Sequence, residues 1–270
     1  MFRASLVILV ALPLLIGCGG ASGVIADDAA EAYQKGMEAF EQEKYTRATE
    51  YFRAVLDFGR SSEFADEAQL MLAKAYFESR QYLLAATEFG RFVDLYPTDA
   101  RTEEAEYGRI RSYYEVSPAY NLDQTDTDRA IAYIRLFVGR YPQSAYSDDV
   151  VAMLESLREK LARKQYEAGR LYERREQYEA AVFSYETVLE QFTTSPYADD
   201  ALLGKLRAQV TYAEASIRAR QAERFQDALD SYNRLVELFP SSPLLREAEG
   251  LYDRAFNGLR AVQATADANR

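Results

Sequence analysis

The sequence contains no histidine and no tryptophan, and its single cysteine, Cys18, lies near the start of the chain. The usual nucleophile–base pairs of hydrolases and transferases need an imidazole or a reactive thiol, so they cannot be assembled after Cys18. The same shortage removes the side chains that most often bind transition metals. We therefore expect no enzymatic activity, no metal site and no cofactor.

Carboxylates do occur in adjacent pairs, at Asp148–Asp149 and Asp199–Asp200. Neighbouring residues of a helix point about 100° apart, so such pairs are poorly arranged for shared acid–base chemistry. Acidic residues in the first turn of a helix are stabilised by its positive end, and this role explains both pairs. The acidic segment 121–128 lacks the glycine and the distal glutamate of an EF-hand loop, which argues against a calcium site of that kind.

No hydrophobic run reaches the roughly 20 residues that cross a bilayer as a helix. The run Ala4–Ile16 follows Arg3 and predicts a signal peptide at residues 1–17. Residues 15–18 read Leu-Ile-Gly-Cys, which resembles the lipobox of bacterial lipoproteins. The resemblance implies that Cys18 is lipidated, and Gly19 favours the outer membrane. The segment after Cys18 is small and polar, which predicts a flexible tether at residues 18–29. The alternative is secretion with an unmodified cysteine.

Negative charge dominates, with a formal net charge of −11. Binding to nucleic acid needs clustered cations, and so does direct binding to anionic lipid head groups. We therefore expect neither kind of contact and attribute membrane attachment to the lipid. The basic run between Arg158 and Arg175 alternates with glutamates, which predicts a solvated helix face with salt bridges.

Two-helix units recur along the chain, and residues 68–97 form the clearest example. Leu72, Ala73 and Tyr76 share one helical face, a short turn follows at 79–81, and Pro97 ends the second helix. The second helices repeat a triplet of large, small and large residues at spacings of three and four. The triplets are Tyr45, Ala48 and Phe52; Tyr82, Ala85 and Phe89; Thr127, Ala130 and Ile134; Tyr178, Ala181 and Tyr185; and Phe225, Ala228 and Tyr232.

The triplets resemble the tetratricopeptide repeat, in which helix pairs stack into a superhelix. The predicted fold is all-α, a right-handed superhelical solenoid of about five helix pairs, and the alternative is an irregular helical bundle. Repeats 1–3 occupy residues 30–142, repeats 4–5 with a capping helix occupy 143–262, and 263–270 form a frayed tail. Within this frame we predict an insertion at 117–124, long helices at 147–175 and 195–222, and a final helix from 242 to 262.

First helices line the concave face of tetratricopeptide stacks, and their outward residues contact extended peptides. Aligning the repeats by their central alanines predicts an aromatic groove with two cations, suited to an apolar peptide that ends in a carboxylate. The alternative is that these aromatic residues only pack between repeats. The predicted groove residues are Tyr33, Met37, Phe40, Lys74, Phe77, Tyr107, Arg111 and Tyr114.

Several features together resemble the BamD family of outer-membrane protein assembly lipoproteins. They are the lipobox, the five repeats, the insertion at 117–124, the ending Arg140-Tyr141-Pro142, the long helix with Leu157, Leu161, Ala162 and Tyr166, and the segment 178–182. The resemblance implies a lipid-anchored scaffold at the periplasmic face of the outer membrane. It implies binding of unfolded β-barrel substrates by the N-terminal half, and of the barrel subunit BamA and other assembly lipoproteins by the C-terminal half. The implied partner-binding residues are Thr193, Tyr197, Asp199 and Asp200.

Two other functions remain open at this point. A repeat lipoprotein could scaffold cell-wall synthesis, hydrolysis or cell division, although the N-terminal coiled coil usual in the related cell-division coordinator is absent. A lipid-anchored enzyme is disfavoured by the missing catalytic groups.

Overall fold

A computed structural model of the protein describes residues 24, 26–59 and 61–268. This part of the chain forms eleven α-helices and contains no β-strand. The helices are α1 (Ala29–Glu41), α2 (Tyr45–Asp57), α3 (Ala65–Glu78), α4 (Tyr82–Leu95), α5 (Thr102–Val116), α6 (Thr125–Arg140), α7 (Ser147–Arg174), α8 (Tyr178–Gln191), α9 (Ala198–Glu214), α10 (Arg218–Leu238) and α11 (Leu245–Ala268). Consecutive helices pack against one another from α1 to α11. The predicted all-α solenoid of five helix pairs is confirmed.

The central alanine of each triplet lies where two helices cross. Ala48, Ala85, Ala130, Ala181 and Ala228 are all fully buried. Only a small side chain lets two helix backbones approach closely, and the large residues on either side fill the flanking space. The triplet therefore encodes the packing inside each repeat.

The turns between paired helices repeat in their dihedral angles. Glu43, Arg80 and Glu176 adopt positive φ angles of 58°, 60° and 59°. The following amide donates to a carbonyl five residues earlier in each case, as in the bond from Lys44 N to Ala39 O at 2.8 Å. This left-handed residue at the helix end closes the helix and reverses the chain. Repeats 1, 2 and 4 therefore share one turn geometry without using glycine.

Buried residues form three hydrophobic clusters along the solenoid. The first lies between α1 and the start of α5, the second joins α5, α6 and the first half of α7, and the third runs from Ala162 on α7 to α11. Leu157 belongs to the second cluster, and Leu161 packs against both the second and the third. The 28-residue helix α7 therefore connects the two halves of the chain.

Some predicted helix boundaries are confirmed and others are wrong. The long helix predicted at 147–175 is α7, and both acidic pairs lie in first turns, of α7 and α9. The single helix predicted at 195–222 is instead two helices, because Ile217 adopts an extended conformation and the Ser216 amide closes α9 on Ala213 O. The tail predicted to fray after Val262 is helical up to Ala268. The sequence analysis missed the break between α9 and α10 because no proline or glycine occurs there.

The turn between α4 and α5 is held by a charged contact. The Asp99 carboxylate accepts from the Arg101 amide and guanidinium, and Arg101 also pairs with Asp66 on α3 at 2.5 Å. Hydrogen bonding from Arg101 lowers the pKa of Asp99 to about 2.

We expect Asp99→Asn to lower the free energy of unfolding at pH 7 by about 1 kcal/mol, because the contact is partly exposed to solvent. A depressed folded-state pKa adds stability above the unfolded value near 4, and this stability is lost as the pH falls toward 2. The difference from the wild type, measured by urea denaturation, should therefore shrink between pH 4 and pH 2. Asp94→Asn, at an exposed position of α4, is the control, and a constant difference for Asp99→Asn would contradict the assignment.

Candidate functional site

A groove of about 340 Å³ lies along the first helices of the N-terminal repeats. Its lining residues are Phe40, Lys74, Phe77, Glu78, Phe89, Glu104, Tyr107, Gly108, Arg111 and Tyr146. Five of the eight predicted groove residues meet here: Phe40, Lys74, Phe77, Tyr107 and Arg111. A cavity of this size, with apolar walls and a few polar groups, has the usual character of a ligand site.

Arg111 is held between two aromatic rings. Its guanidinium carbon lies 4.3 Å from the ring centroid of Phe77 and 5.7 Å from that of Tyr107. Such cation–π contacts fix the orientation of the guanidinium without neutralising its charge. Within the described part of the chain, no carboxylate forms an ion pair with Arg111. This positive charge is therefore available to an anionic ligand.

Lys74 differs from Arg111 because its charge is already paired. Its Nζ lies 2.6 Å from the Glu104 carboxylate, which also lines the groove. A ligand carboxylate would have to compete with Glu104 for this ammonium group. Of the two predicted cations, Arg111 is the stronger candidate for binding an anion.

Tyr107 is fixed by contacts that the sequence did not suggest. Its ring stacks on Tyr146 with the centroids 4.1 Å apart, and its hydroxyl donates to Asp149 Oδ2 at 2.8 Å. Burial, with the hydrogen bond to Asp149 adding to it, raises the pKa of Tyr107. Tyr146 lies just before α7, outside the repeat pattern, so the alignment of repeats could not identify it as a groove residue.

The floor of the groove depends on a glycine. A Cβ atom built on Gly108 would lie 2.5 Å from the ring of Phe89, closer than Cβ atoms pack against other atoms. Gly108 therefore lets the Phe89 ring reach the first helix of the next repeat. Both residues line the groove, so a larger side chain at position 108 would displace part of its wall.

The three remaining predicted groove residues lie outside this cavity. Tyr33 stacks on Phe64 with the centroids 5.1 Å apart, and Met37 packs against the first hydrophobic cluster. Tyr114 packs against the second cluster and its hydroxyl is 3.3 Å from Ser156 Oγ. For these three residues the packing alternative describes what the structure shows.

The four predicted partner-binding residues lie at the turn between α8 and α9. Thr193 is exposed, and Tyr197 stacks on Tyr166 with the centroids 5.5 Å apart. Asp199 accepts from Ser242 Oγ at 2.9 Å, which ties the start of α9 to the turn before α11. Burial, with Asp199 adding to it, raises the pKa of Asp200. The four residues are thus neighbours, but only Thr193 is exposed, and the other three are half-buried.

The basic run on α7 is only in part the solvated face predicted from sequence. Lys160 Nζ donates to Ser117 Oγ at 2.7 Å, and Lys164 Nζ donates to Leu122 O at 2.7 Å. Arg163 lies over the ring of Tyr120, 4.3 Å from its centroid. These three side chains hold the insertion at 117–124 against α7. The prediction missed this because the contacts join residues about 40 positions apart.

The candidate lipidation residue, Cys18, and the predicted signal peptide at 1–17 lie outside the described residues, as does most of the tether at 18–29. Among the residues described, no helix combines the length and hydropathy needed to span a membrane. In the same part of the chain, no group of three acidic, cysteine or histidine side chains is arranged to hold a metal ion.

Comparison with known proteins places the chain in a family. A family model described as YfiO, outer membrane lipoprotein, matches residues 25–215. The outer membrane protein assembly factor BamD of Caulobacter vibrioides is 30% identical over 179 residues, which are 66% of this chain and 59% of that protein. The BamD of Vibrio cholerae is 24% identical over 243 residues, covering 86% of this chain and 96% of that protein.

A crystal structure of a TPR repeats protein from Bacteroides fragilis aligns with a TM-score of 0.46 and 15% identity, covering 86% of this chain and 99% of that one. The family model covers well over half of the sequence, including the groove and the turn between α8 and α9. The chain belongs to the YfiO family of outer membrane lipoproteins.

Proposed function

We propose that the chain is a lipid-anchored scaffold for the assembly of β-barrel proteins in the outer membrane. In this proposal the groove binds an extended, apolar segment of an unfolded outer-membrane protein. The C-terminal half binds a BamA-like barrel subunit and other assembly lipoproteins, with Thr193 as the most exposed contact of the turn between α8 and α9. The scaffold acts by binding alone, and Cys18 carries the lipid that holds it at the periplasmic face.

The observation that carries this proposal is the unpaired Arg111 between Phe77 and Tyr107. An extended segment of a barrel protein alternates apolar and polar side chains, so its apolar residues can bury against the aromatic walls. A terminal carboxylate can pair with Arg111, whose guanidinium is already oriented by the two rings. Burial supplies affinity and the charge pair sets the register of the peptide.

Removing the aromatic or the cationic side chain should weaken peptide binding. We expect Phe77→Ala and Arg111→Ala each to lower the affinity about tenfold for a fluorescein-labelled apolar peptide that ends in a phenylalanine carboxylate, as one buried contact of about 1.4 kcal/mol would. Fluorescence anisotropy measures the dissociation constant. Arg135→Ala, which removes an exposed cation from α6, serves as the matched control.

Amidating the C-terminus of the peptide should lower its affinity for the unmodified chain by most of the factor expected for Arg111→Ala. The amidated peptide should bind the Arg111→Ala variant only slightly more weakly than it binds the unmodified chain. Equal binding of the free and amidated peptides would overturn the role of Arg111. Affinity purification from detergent-solubilised outer membranes distinguishes the scaffold functions, because a β-barrel partner supports this proposal and cell-wall enzymes support the alternative.

A further inference from the structure

The two members of the acidic pair at the start of α7 have different surroundings. Asp149 Oδ2 accepts a hydrogen bond from the Tyr107 hydroxyl at 2.8 Å, whereas the Asp148 side chain makes no hydrogen bond or ion pair with the described residues. Both carboxylates are exposed in the first turn of α7, so both complement the positive end of the helix. The contact with Tyr107 is therefore a property of Asp149 that helix stabilisation does not explain.

This hydrogen bond joins two helices that are separated along the chain by α6. Tyr107 belongs to α5, the groove helix of the third repeat, and Asp149 belongs to α7. A second contact lies one turn earlier on α5, where Glu103 Oε1 accepts from Ser144 Oγ at 2.5 Å. Ser144 lies in the turn between α6 and α7. The start of α7 is therefore held against α5 at two successive turns, which fixes the place of Asp149.

Tyr107 in turn contacts the cation of the groove. Tyr107 and Arg111 are four residues apart on α5, so they are neighbours on one face of the helix, and the guanidinium carbon lies 5.7 Å from the ring centroid. A half-buried tyrosine can rotate into solvent unless contacts hold both its ring and its hydroxyl. Tyr146 stacks on the ring, and Asp149 holds the hydroxyl. Both contacts come from the start of α7 or the residue before it.

The charge of Asp149 and its hydrogen bond should affect an anionic ligand in opposite directions. The negative charge repels a carboxylate, but the Asp149 side chain is exposed, so water and salt screen this repulsion. The hydrogen bond acts on Tyr107 by direct contact. Removing the side chain should therefore weaken the binding of a carboxylate, although the change in charge alone would predict tighter binding.

We propose that Asp149 is a positioning residue for Arg111. By holding the Tyr107 hydroxyl, it keeps the Tyr107 ring against the guanidinium and so maintains the orientation in which Arg111 pairs with the terminal carboxylate of a bound peptide. The last step rests on the proposed function of the groove. The preference of the groove for a free carboxylate thus depends on a residue of α7 that does not line the groove.

Alanine and asparagine at position 149 separate the hydrogen bond from the charge. Both remove the charge, but asparagine keeps a carbonyl oxygen that can accept from the Tyr107 hydroxyl. We expect Asp149→Ala and Tyr107→Phe each to lower the affinity about threefold for the labelled peptide that ends in a phenylalanine carboxylate, as loss of one exposed hydrogen bond would. Asp149→Asn should keep most of the affinity. Fluorescence anisotropy measures the dissociation constants, and none of these changes should affect the amidated peptide.

Asp148→Ala is the matched control, because it removes the same charge from the same helical turn without removing a contact. It should leave the affinity for the free-carboxylate peptide unchanged or slightly raised. Combining Tyr107→Phe with Asp149→Ala should cost no more than either change alone, since both remove one hydrogen bond. Equal losses for the free and amidated peptides would indicate a general structural role and overturn the proposal. Tighter binding by Asp149→Ala would also overturn it, because charge would then dominate.

The Arg111 Nε–H resonance of the free protein tests the same contact by NMR without a ligand. Its chemical shift depends on the nearby rings of Phe77 and Tyr107, and its loss in Arg111→Ala assigns it. We expect the resonance to move in Asp149→Ala and to stay in place in Asp149→Asn and Asp148→Ala. An unchanged resonance in Asp149→Ala would overturn the positioning role whether or not the peptide binds. A moved resonance without peptide binding to the unmodified chain would refute the proposed function alone, so the two failures are distinguishable.

Discussion

Gln165→Pro should lower the free energy of unfolding by about 3 kcal/mol or more and divide unfolding into two transitions. Gln165 lies inside α7, after Leu157 of the second hydrophobic cluster and between Ala162 and Tyr166, which pack into the third. Proline there removes one hydrogen bond of the helix, and its ring clashes with the carbonyl of Leu161. Stacked repeats are coupled mainly through their neighbours, so a break at this point uncouples the two halves.

Circular dichroism during thermal and urea denaturation measures both effects. Gln165→Ala is the control, because alanine keeps the helix and should change stability by less than about 0.5 kcal/mol. Two transitions should appear only in the proline variant. A single transition at the wild-type midpoint would show that α7 is not the connection between the halves.

Gly204→Ala should destabilise the protein by up to about 2 kcal/mol, although alanine is the better helix former. A Cβ atom at Gly204 would lie 2.6 Å from the Tyr185 ring. The ring has little room to move away, because it also packs so closely on Gly169 that a Cβ atom built there would lie 2.6 Å from the ring, and because its hydroxyl donates to Glu173 at 2.8 Å. Overpacking costs about 1 to 3 kcal/mol, and because this ring is held on both sides we expect the cost to lie in the upper part of that range, above the helix-propensity gain of about 1 kcal/mol.

Gly250→Ala is the same substitution at a position where it should raise the free energy of unfolding instead of lowering it. Gly250 lies on an exposed face of α11, and a Cβ atom there would have no neighbour within 4 Å. We expect this variant to gain up to about 1 kcal/mol from helix propensity alone. Urea denaturation of both variants measures the contrast, and a gain in stability by Gly204→Ala would show that Tyr185 is free to shift.

The repeat architecture could be predicted because its determinants are local. A triplet such as Tyr82, Ala85 and Phe89 fixes one helical face and one crossing point within eight residues. The break at 215–217 could not be predicted in the same way. It depends on Ser216, whose side chain contacts Tyr212 and Arg224, and on the extended conformation of Ile217. These features carry no signal in hydrophobic periodicity.

The groove could be predicted in part for a related reason. The alignment of repeats identifies which positions face the same side, and this placed Phe77, Tyr107 and Arg111 together. It cannot say which side chains a neighbouring element covers or neutralises. Glu104 pairs with Lys74, and Tyr146 completes the aromatic wall. Both effects arise between repeats, where the local pattern gives no information.

The continuous helix α7 also has a mechanical consequence. Its 28 residues extend over about 42 Å without an interruption, and they connect the half that contains the groove to the half that contains the turn between α8 and α9. A helix of this kind resists bending, so we expect it to hold the two proposed binding regions at a set separation. A ligand long enough to contact both regions would bind with higher affinity, because its second contact forms at a high effective concentration. A ligand too short to reach both regions would show no such increase in affinity.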